Sequence, residues 1–155
     1  MKNKSTDEIK KAKNYAFLLL KFRPRSEKEI YQRLKNKKFN EEIIKGTVSF
    51  LKEKEFIDDN YFAKAWIQSR IKRPLGLGRL RAELKVKGVD KEIIDSQIDQ
   101  IKKDYAEEDI VKAIAKAKIS KLKGIEPLKA KRRILDYLLR RGFSAGIVFD
   151  VVGKL

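Results

Sequence analysis

Apolar residues recur along this chain at intervals of three and four, the spacing of one face of a helix. Ile9, Ala12, Ala16, Leu19 and Leu20 form the first such stripe. Arg23-Pro24-Arg25 ends it, because the residue before a proline avoids the helical region. Ser26 with Glu29 three residues on is a capping box. It opens a second helix with Ile30 and Leu34 on its apolar side and Phe39 just beyond. Asn40 caps a third, with Glu41 and Glu42 in its positive first turn. Ile43, Ile44, Thr47, Val48 and Leu51 are its buried stripe. No stretch alternates with period two, so no sheet is expected.

Sliding the chain against itself by 50 residues gives a gapless match. Arg23-Pro24 falls on Arg73-Pro74, Leu34 on Leu84, Phe39-Asn40 on Val89-Asp90, and Glu42-Ile43-Ile44 on Glu92-Ile93-Ile94. A third copy lies 54 residues further, with Leu80, Leu84 and Val89 mapping to Ile134, Leu138 and Phe143. In the second copy Asp58-Asp59 opens a helix carrying Phe62, Ala63, Trp66, Ile67 and Ile71. Pro74 to Gly78 breaks the chain, and a helix follows with Leu80, Leu84 and Val86 on its apolar side. Gly88, and Gly142 in the third copy, suit a left-handed helix end. Asp90 is expected to cap the last helix of the second copy, and residues 105–122, 127–141 and 144–152 to fill the three slots of the third. The expected fold is all-α: three tandem three-helix repeats in an elongated, curved, solenoid-like array. The copies are placed at 1–56, 57–104 and 105–155. Such an array suits a long groove or filament better than a small-molecule pocket.

Charge adds a partner. Of 155 residues 39 are Lys or Arg and 22 Asp or Glu, a net charge of +17. A balance that basic points to nucleic acid, a membrane surface or an acidic protein face. It reads also as a lysine-rich solvated surface. The chain has no Cys and no His, which removes disulfides, thiol nucleophiles, the usual zinc sites and imidazole bases. The longest apolar run, Tyr15 to Leu20, is far short of the roughly 20 residues of a membrane span, and Met1 to Lys11 is too polar for a signal peptide. A soluble, cytoplasmic, monomeric protein is expected.

The second copy carries a distinctive run: Phe56-Ile57-Asp58-Asp59-Asn60-Tyr61-Phe62-Ala63-Lys64-Ala65-Trp66, then Arg70, Gly76, Arg79-Leu80, Glu83-Leu84 and Lys87-Gly88-Val89. It resembles the signature of the RecX family. The first copy adds Leu18-Leu19, Arg23, Arg25 to Glu29, and Leu34, similar to that family's N-terminal pattern. The resemblance spans about residues 14–150 and is loosest in the third copy. It implies three tandem three-helix repeats and a partner, the RecA recombinase filament on single-stranded DNA. It further implies inhibition of that filament's ATPase, strand exchange and co-protease activity, hence a regulator of homologous recombination, DNA repair and the SOS response, with direct DNA contact in some members. Asp58, Asp59, Phe62, Ala63, Trp66, Gly76, Leu80, Glu83, Leu84 and Gly88 are then signature residues with mainly structural roles.

Other chemistry in these motifs has a plainer structural reading. Asp58-Asp59 could hold a magnesium ion in a small nuclease. With no third acidic ligand or phosphate loop nearby, a helix cap is the better reading. Phe62 and Trp66 could stack on bases, but aromatics in a helical stripe usually face a core. Gly76-Leu77-Gly78 fails as a dinucleotide loop, since Arg81 stands where a third glycine is needed and no strand precedes it. A turn with close backbone approach is expected there, and no cofactor or metal. The densest basic run is Arg70, Lys72, Arg73, Arg79, Arg81, Lys85 and Lys87, which meets only one acid, Glu83. A second basic region includes Arg132, Arg133, Arg140 and Arg141. Together they are the candidate groove for phosphates or an acidic filament face. A solvated helix face is the other reading of these charges, and a general nucleic-acid-binding module independent of RecA is the other reading of the protein.

Overall fold

A computed structural model describes residues 2–155. It contains nine helices among the described residues and no strand. They are α1 (Lys2–Phe22), α2 (Glu27–Asn36), α3 (Glu41–Glu53), α4 (Asp59–Arg70), α5 (Leu77–Val86), α6 (Lys91–Lys102), α7 (Glu107–Lys121), α8 (Pro127–Arg140) and α9 (Ala145–Gly153). Three consecutive triplets repeat the same plan, as the two register shifts require.

The local reasons are visible at the helix ends. Ser26 accepts from the Glu29 amide while the Glu29 carboxylate accepts from the Ser26 amide, closing the capping box at α2. Asn40 caps α3 through the Ile43 amide at 2.9 Å. Pro127 takes the first turn of α8, where its missing N–H costs nothing. The second helix of every copy ends alike. The amides of Phe39, Val89 and Phe143 reach back to the carbonyls of Leu34, Leu84 and Leu138, the six-to-one bond of a Schellman end. The residue before each has positive φ: Lys38 at 72°, Gly88 at 79° and Gly142 at 84°.

Contacts divide the chain into two compact units. The first holds everything up to Trp66 together with Leu84–Ile94, and the second Ile67–Glu83 with Asp95–Leu155. The dividing line therefore passes through α4, α5 and α6, the helices of the middle copy. In the first unit Ala12, Ala16 and Leu19 of α1 pack against Ile30 and Leu34 of α2 and against Ile44, Val48 and Leu51 of α3. In the second, Val111 and Ala115 of α7 pack with Ile134 and Leu138 of α8 and Val148, Val151 and Val152 of α9. Each fully buried aliphatic side chain contributes about 1.5–3 kcal/mol.

Two apolar positions fall elsewhere than expected. Val86 is 74% exposed and Ile9 37%. Val86 is the last residue of α5, where Leu84 completes the stripe. Ile9 lies a turn before Ala12, beyond the apolar cover.

Candidate anion-binding interface

One joint is built twice. In the first unit the Ser26 hydroxyl, just before α2, donates to the carbonyl of Lys87 at 2.7 Å. Beside it Gly88 lies so close to Lys28 that a Cβ there would come within 2.3 Å of that side chain. In the second unit the corresponding residues do the same. The Gly76 amide donates to the Arg141 carbonyl at 2.9 Å, and Gly78 to Gly142 at 3.1 Å. A Cβ on Gly142 would stand 2.4 Å from the Arg79 amide nitrogen. In both cases the start of one copy's second helix seats on the left-handed turn of the next copy. This explains why the contact division cuts the middle copy: its turn is held by the copy before it, and the start of its α5 by the copy after. The close backbone approach expected at Gly76 is present.

The signature carboxylates serve two helices. Asp58 sits before α4, accepting from the Asn60 amide at 2.9 Å, while its carbonyl takes the first helical bond from Phe62. Asp59 instead reaches across to the Glu27 amide at the start of α2, also at 2.9 Å. Burial raises the pKa of Asp59; the Glu27 hydrogen bond opposes this, and the charges of Glu27 and Asp90 add to it. An acid raised in the folded state weakens the fold as pH rises through its folded value. Asp59→Asn, which keeps the acceptor and removes the charge, is therefore expected to unfold in urea at the parent's midpoint or above. Asp59→Ala orphans the Glu27 amide and should lose about 1 kcal/mol. An Asn variant as weak as the Ala variant would contradict this. Among the described residues no group of three acidic, His or Cys side chains is placed to hold a metal.

The aromatics face inward or pair. Phe62 is 2% exposed and stacks on Trp66, centroids 5.9 Å apart. Lys87 sits over the Trp66 ring at 5.1 Å and also reaches Glu29. Ala63, Leu80 and Leu84 are fully buried.

The candidate basic residues separate into two kinds. Arg70 clasps Glu83, its Nε 3.0 Å from both carboxylate oxygens, and Arg79 approaches the same carboxylate at 3.7 Å. Arg81 is paired with Asp95. Arg141 donates twice to the Pro74 carbonyl, the shorter bond 2.6 Å. These arginines are tied down, together with Lys87, before any partner arrives. Lys72, Arg73, Lys85, Arg132, Arg133 and Arg140 carry no ion pair among the described residues. Lys85 and Lys87 belong to the first unit and the rest to the second. Within the second unit the joint gathers the two basic regions. The Arg79 guanidinium lies 3.4 Å from the Arg140 carbonyl, and Arg141 reaches the residue after Arg73. Arg79 and Arg141 thus meet beside Gly76 and Gly142, with Arg73 and Arg140 next to these contacts in the chain and Glu83 as the nearby acid. Fixed guanidiniums in such a cluster suit phosphate or carboxylate oxygens, which accept in the same planar geometry. The Arg70–Glu83 and Arg81–Asp95 pairs were beyond sequence reading, since each acid lies a helix away from its arginine; the Arg79–Glu83 pair has the i,i+4 spacing of one helix.

Three family profiles match the chain in register with its copies: RecX, first three-helix domain, over residues 12–51; RecX, second three-helix domain, over 58–96; and RecX, third three-helix domain, over 106–152. The chain belongs to the RecX family. Among curated RecX proteins, the "Regulatory protein RecX" of Amycolatopsis mediterranei is 32% identical over 94% of this chain and 83% of its own length. That of Haemophilus influenzae is 31% identical over 91% of this chain and 92% of its own. The crystal structure of RecX from Lactobacillus salivarius superimposes with a TM-score of 0.83 over 97% of both chains at 20% identity. The RecX fold, three tandem three-helix repeats, is therefore the fold of this chain, and its relatives are named as regulatory proteins. No helix among the described residues is long and apolar enough to cross a membrane.

Proposed function

We propose that this chain is an inhibitor of the RecA recombinase. It binds the RecA filament on single-stranded DNA and suppresses ATP hydrolysis, strand exchange and co-protease activity without chemistry of its own. Membership of a family of regulators supports the class of function. The observation that carries the site is the arginine cluster at the joint of the second and third copies, because it presents fixed cations where an anionic surface would seat. Both binding partners fit a net charge of +17: phosphates of the DNA and acidic faces of the filament. The protein acts in the cytoplasm, as a monomer, within DNA repair and the SOS response.

The test is RecA ATPase on single-stranded DNA, with and without this protein, at two salt concentrations. The parent should inhibit, less strongly at the higher salt. Arg73→Ala and Arg140→Ala combined remove the two cations of this cluster without an ion pair among the described residues, so the fold should stand. If both meet phosphates, the log–log salt slope of DNA binding should become shallower by about 1.4, at roughly 0.7 per contact on a single strand. Inhibition should weaken in parallel. Full inhibition with an unchanged slope would remove the cluster from the interface. Tight, salt-sensitive DNA binding with no effect on the ATPase would favour a nucleic-acid module independent of RecA.

A further inference from the structure

Beside the arginine cluster, and sharing Arg140 with it, the second unit holds a cleft between α7 and α8 of about 460 Å³. That is room for one large side chain and its neighbours. Its floor is apolar: Leu122, the buried Ile134 and the ring of Tyr137. Its rim is cationic. Lys118 and Lys121 stand on the α7 side, Arg133 and Arg140 on the α8 side, and Asp136 is the one acid among them. The spacings, three on α7 and seven on α8, keep each pair on one helix face. Lys121, Arg133 and Arg140 have no ion pair among the described residues.

Two anions could meet such a rim, a nucleic-acid strand or an acidic stretch of protein. A single strand binds by stacking bases on free aromatic faces. Here the Lys118 ammonium already sits 3.7 Å from the Tyr137 ring centroid, and the Arg141 guanidinium lies 5.8 Å from it. The cation–π contact holds Lys118 at the rim and takes up a ring face a base would need. An apolar floor also has nothing to offer a phosphate. An acidic peptide with an apolar side chain uses both parts: the side chain is desolvated on the floor, and carboxylates meet the rim. An apolar anchor ringed by polar contacts is how protein interfaces concentrate affinity.

We infer that the α7–α8 cleft binds an acidic protein segment, seating one apolar side chain against Leu122, Ile134 and Tyr137 and its carboxylates on Lys121, Arg133 and Arg140. The inference deepens the inhibitor reading by naming the chemistry of the protein partner, and it rests on that reading only in calling for such a partner. Its test contains no recombinase, so the two can fail separately.

The probe is a fluorescein-labelled peptide of Glu and Asp around one central Phe, titrated with the full chain and followed by anisotropy. A second peptide carries Ala in place of Phe, and labelled oligo(dT) serves as the nucleic acid. The Phe peptide should bind at least about tenfold more tightly than the Ala peptide. Lys121→Glu with Arg133→Glu should weaken it by about tenfold or more and weaken oligo(dT), which meets the charge of the whole chain, by less. Both residues are exposed, and an unchanged helical circular dichroism spectrum confirms folding; Lys121→Gln with Arg133→Gln repeats the test without adding negative charge. Equal binding of the two peptides would reduce the cleft to bare charge and overturn the proposal. So would loss of oligo(dT) binding with the peptide unaffected, which would make it a nucleic-acid site.

Discussion

Gly76→Ala is expected to destabilise this protein by about 3 kcal/mol or more, a large part of the roughly 5–15 kcal/mol that holds a typical domain together. A Cβ at this position would lie 2.0 Å from the Gly142 carbonyl carbon and 2.1 Å from the Phe143 nitrogen. Both are backbone atoms, so no side chain can swing away to make room. The joint must open, and the two hydrogen bonds from Gly76 and Gly78 to the Arg141 and Gly142 carbonyls go with it. The damage belongs to the second unit. Its arginine cluster is assembled by this contact, so inhibition of the recombinase should fall with stability. Urea unfolding is the measurement, with Gly46→Ala as its counterpart. Gly46 lies inside α3, where a Cβ meets nothing within 4 Å. That change should raise stability by about 0.5–1 kcal/mol. A Gly76→Ala protein with the parent's midpoint would mean that the two backbones do not meet as described.

The second large effect is expected at Glu29. This carboxylate accepts from the Ser26 amide, pairs with Arg23 at 2.5 Å, and receives Lys87 at 3.3 Å; its side chain is only 14% exposed. Burial alone would raise its pKa. The Arg23 hydrogen bond, the Ser26 amide and the charges of Arg23 and Lys87 outweigh burial, and its pKa lies below the ordinary glutamate value of 4.5. Glu29→Ala removes a cap and leaves two part-buried cations unpaired, so a loss of about 2–3 kcal/mol follows. Because the folded pKa lies below the unfolded one, the contribution is complete above the unfolded value. It is lost as pH falls through the folded value. Glu29→Gln should consequently differ from the parent at neutral pH and converge on it in acid, below the usual glutamate range. A gap between the two midpoints that persists unchanged into acid would contradict the ion pairs.

Much of this architecture could be read from residue order, because the devices involved are local. The capping box at Ser26 and Glu29, the Asn40 cap and the proline before α2 each act within a few residues. The 50-residue register carried them forward to the second copy. What escaped was reciprocal and distant. Asp59 was read with Asp58 as one helix start, yet its hydrogen-bond donor, Glu27, lies 32 residues back. Arg70 and Arg81 were read as part of a basic groove, but Glu83 and Asp95 hold them through packing that no periodicity reports. The third left-handed turn was hidden by residue type. Gly88 and Gly142 announce positive φ, whereas Lys38 does so only once it is aligned with them. Tyr105 carried no signal at all, although its hydroxyl both accepts from and donates to the backbone of Leu75, at 3.1 and 2.5 Å.

Lys38 has a meaning of its own. The joint works as plug and socket: the start of a second helix is the plug, and the left-handed turn is the socket. Two sockets are lined by glycine because a plug fills them. The third carries a lysine, which is exposed and tolerates positive φ at some conformational cost. A side chain there is a stopper. A protein engineer wishing to add a copy ahead of the first would begin by removing it, with Lys38→Gly, so that the start of the added copy's second helix has a socket to fill.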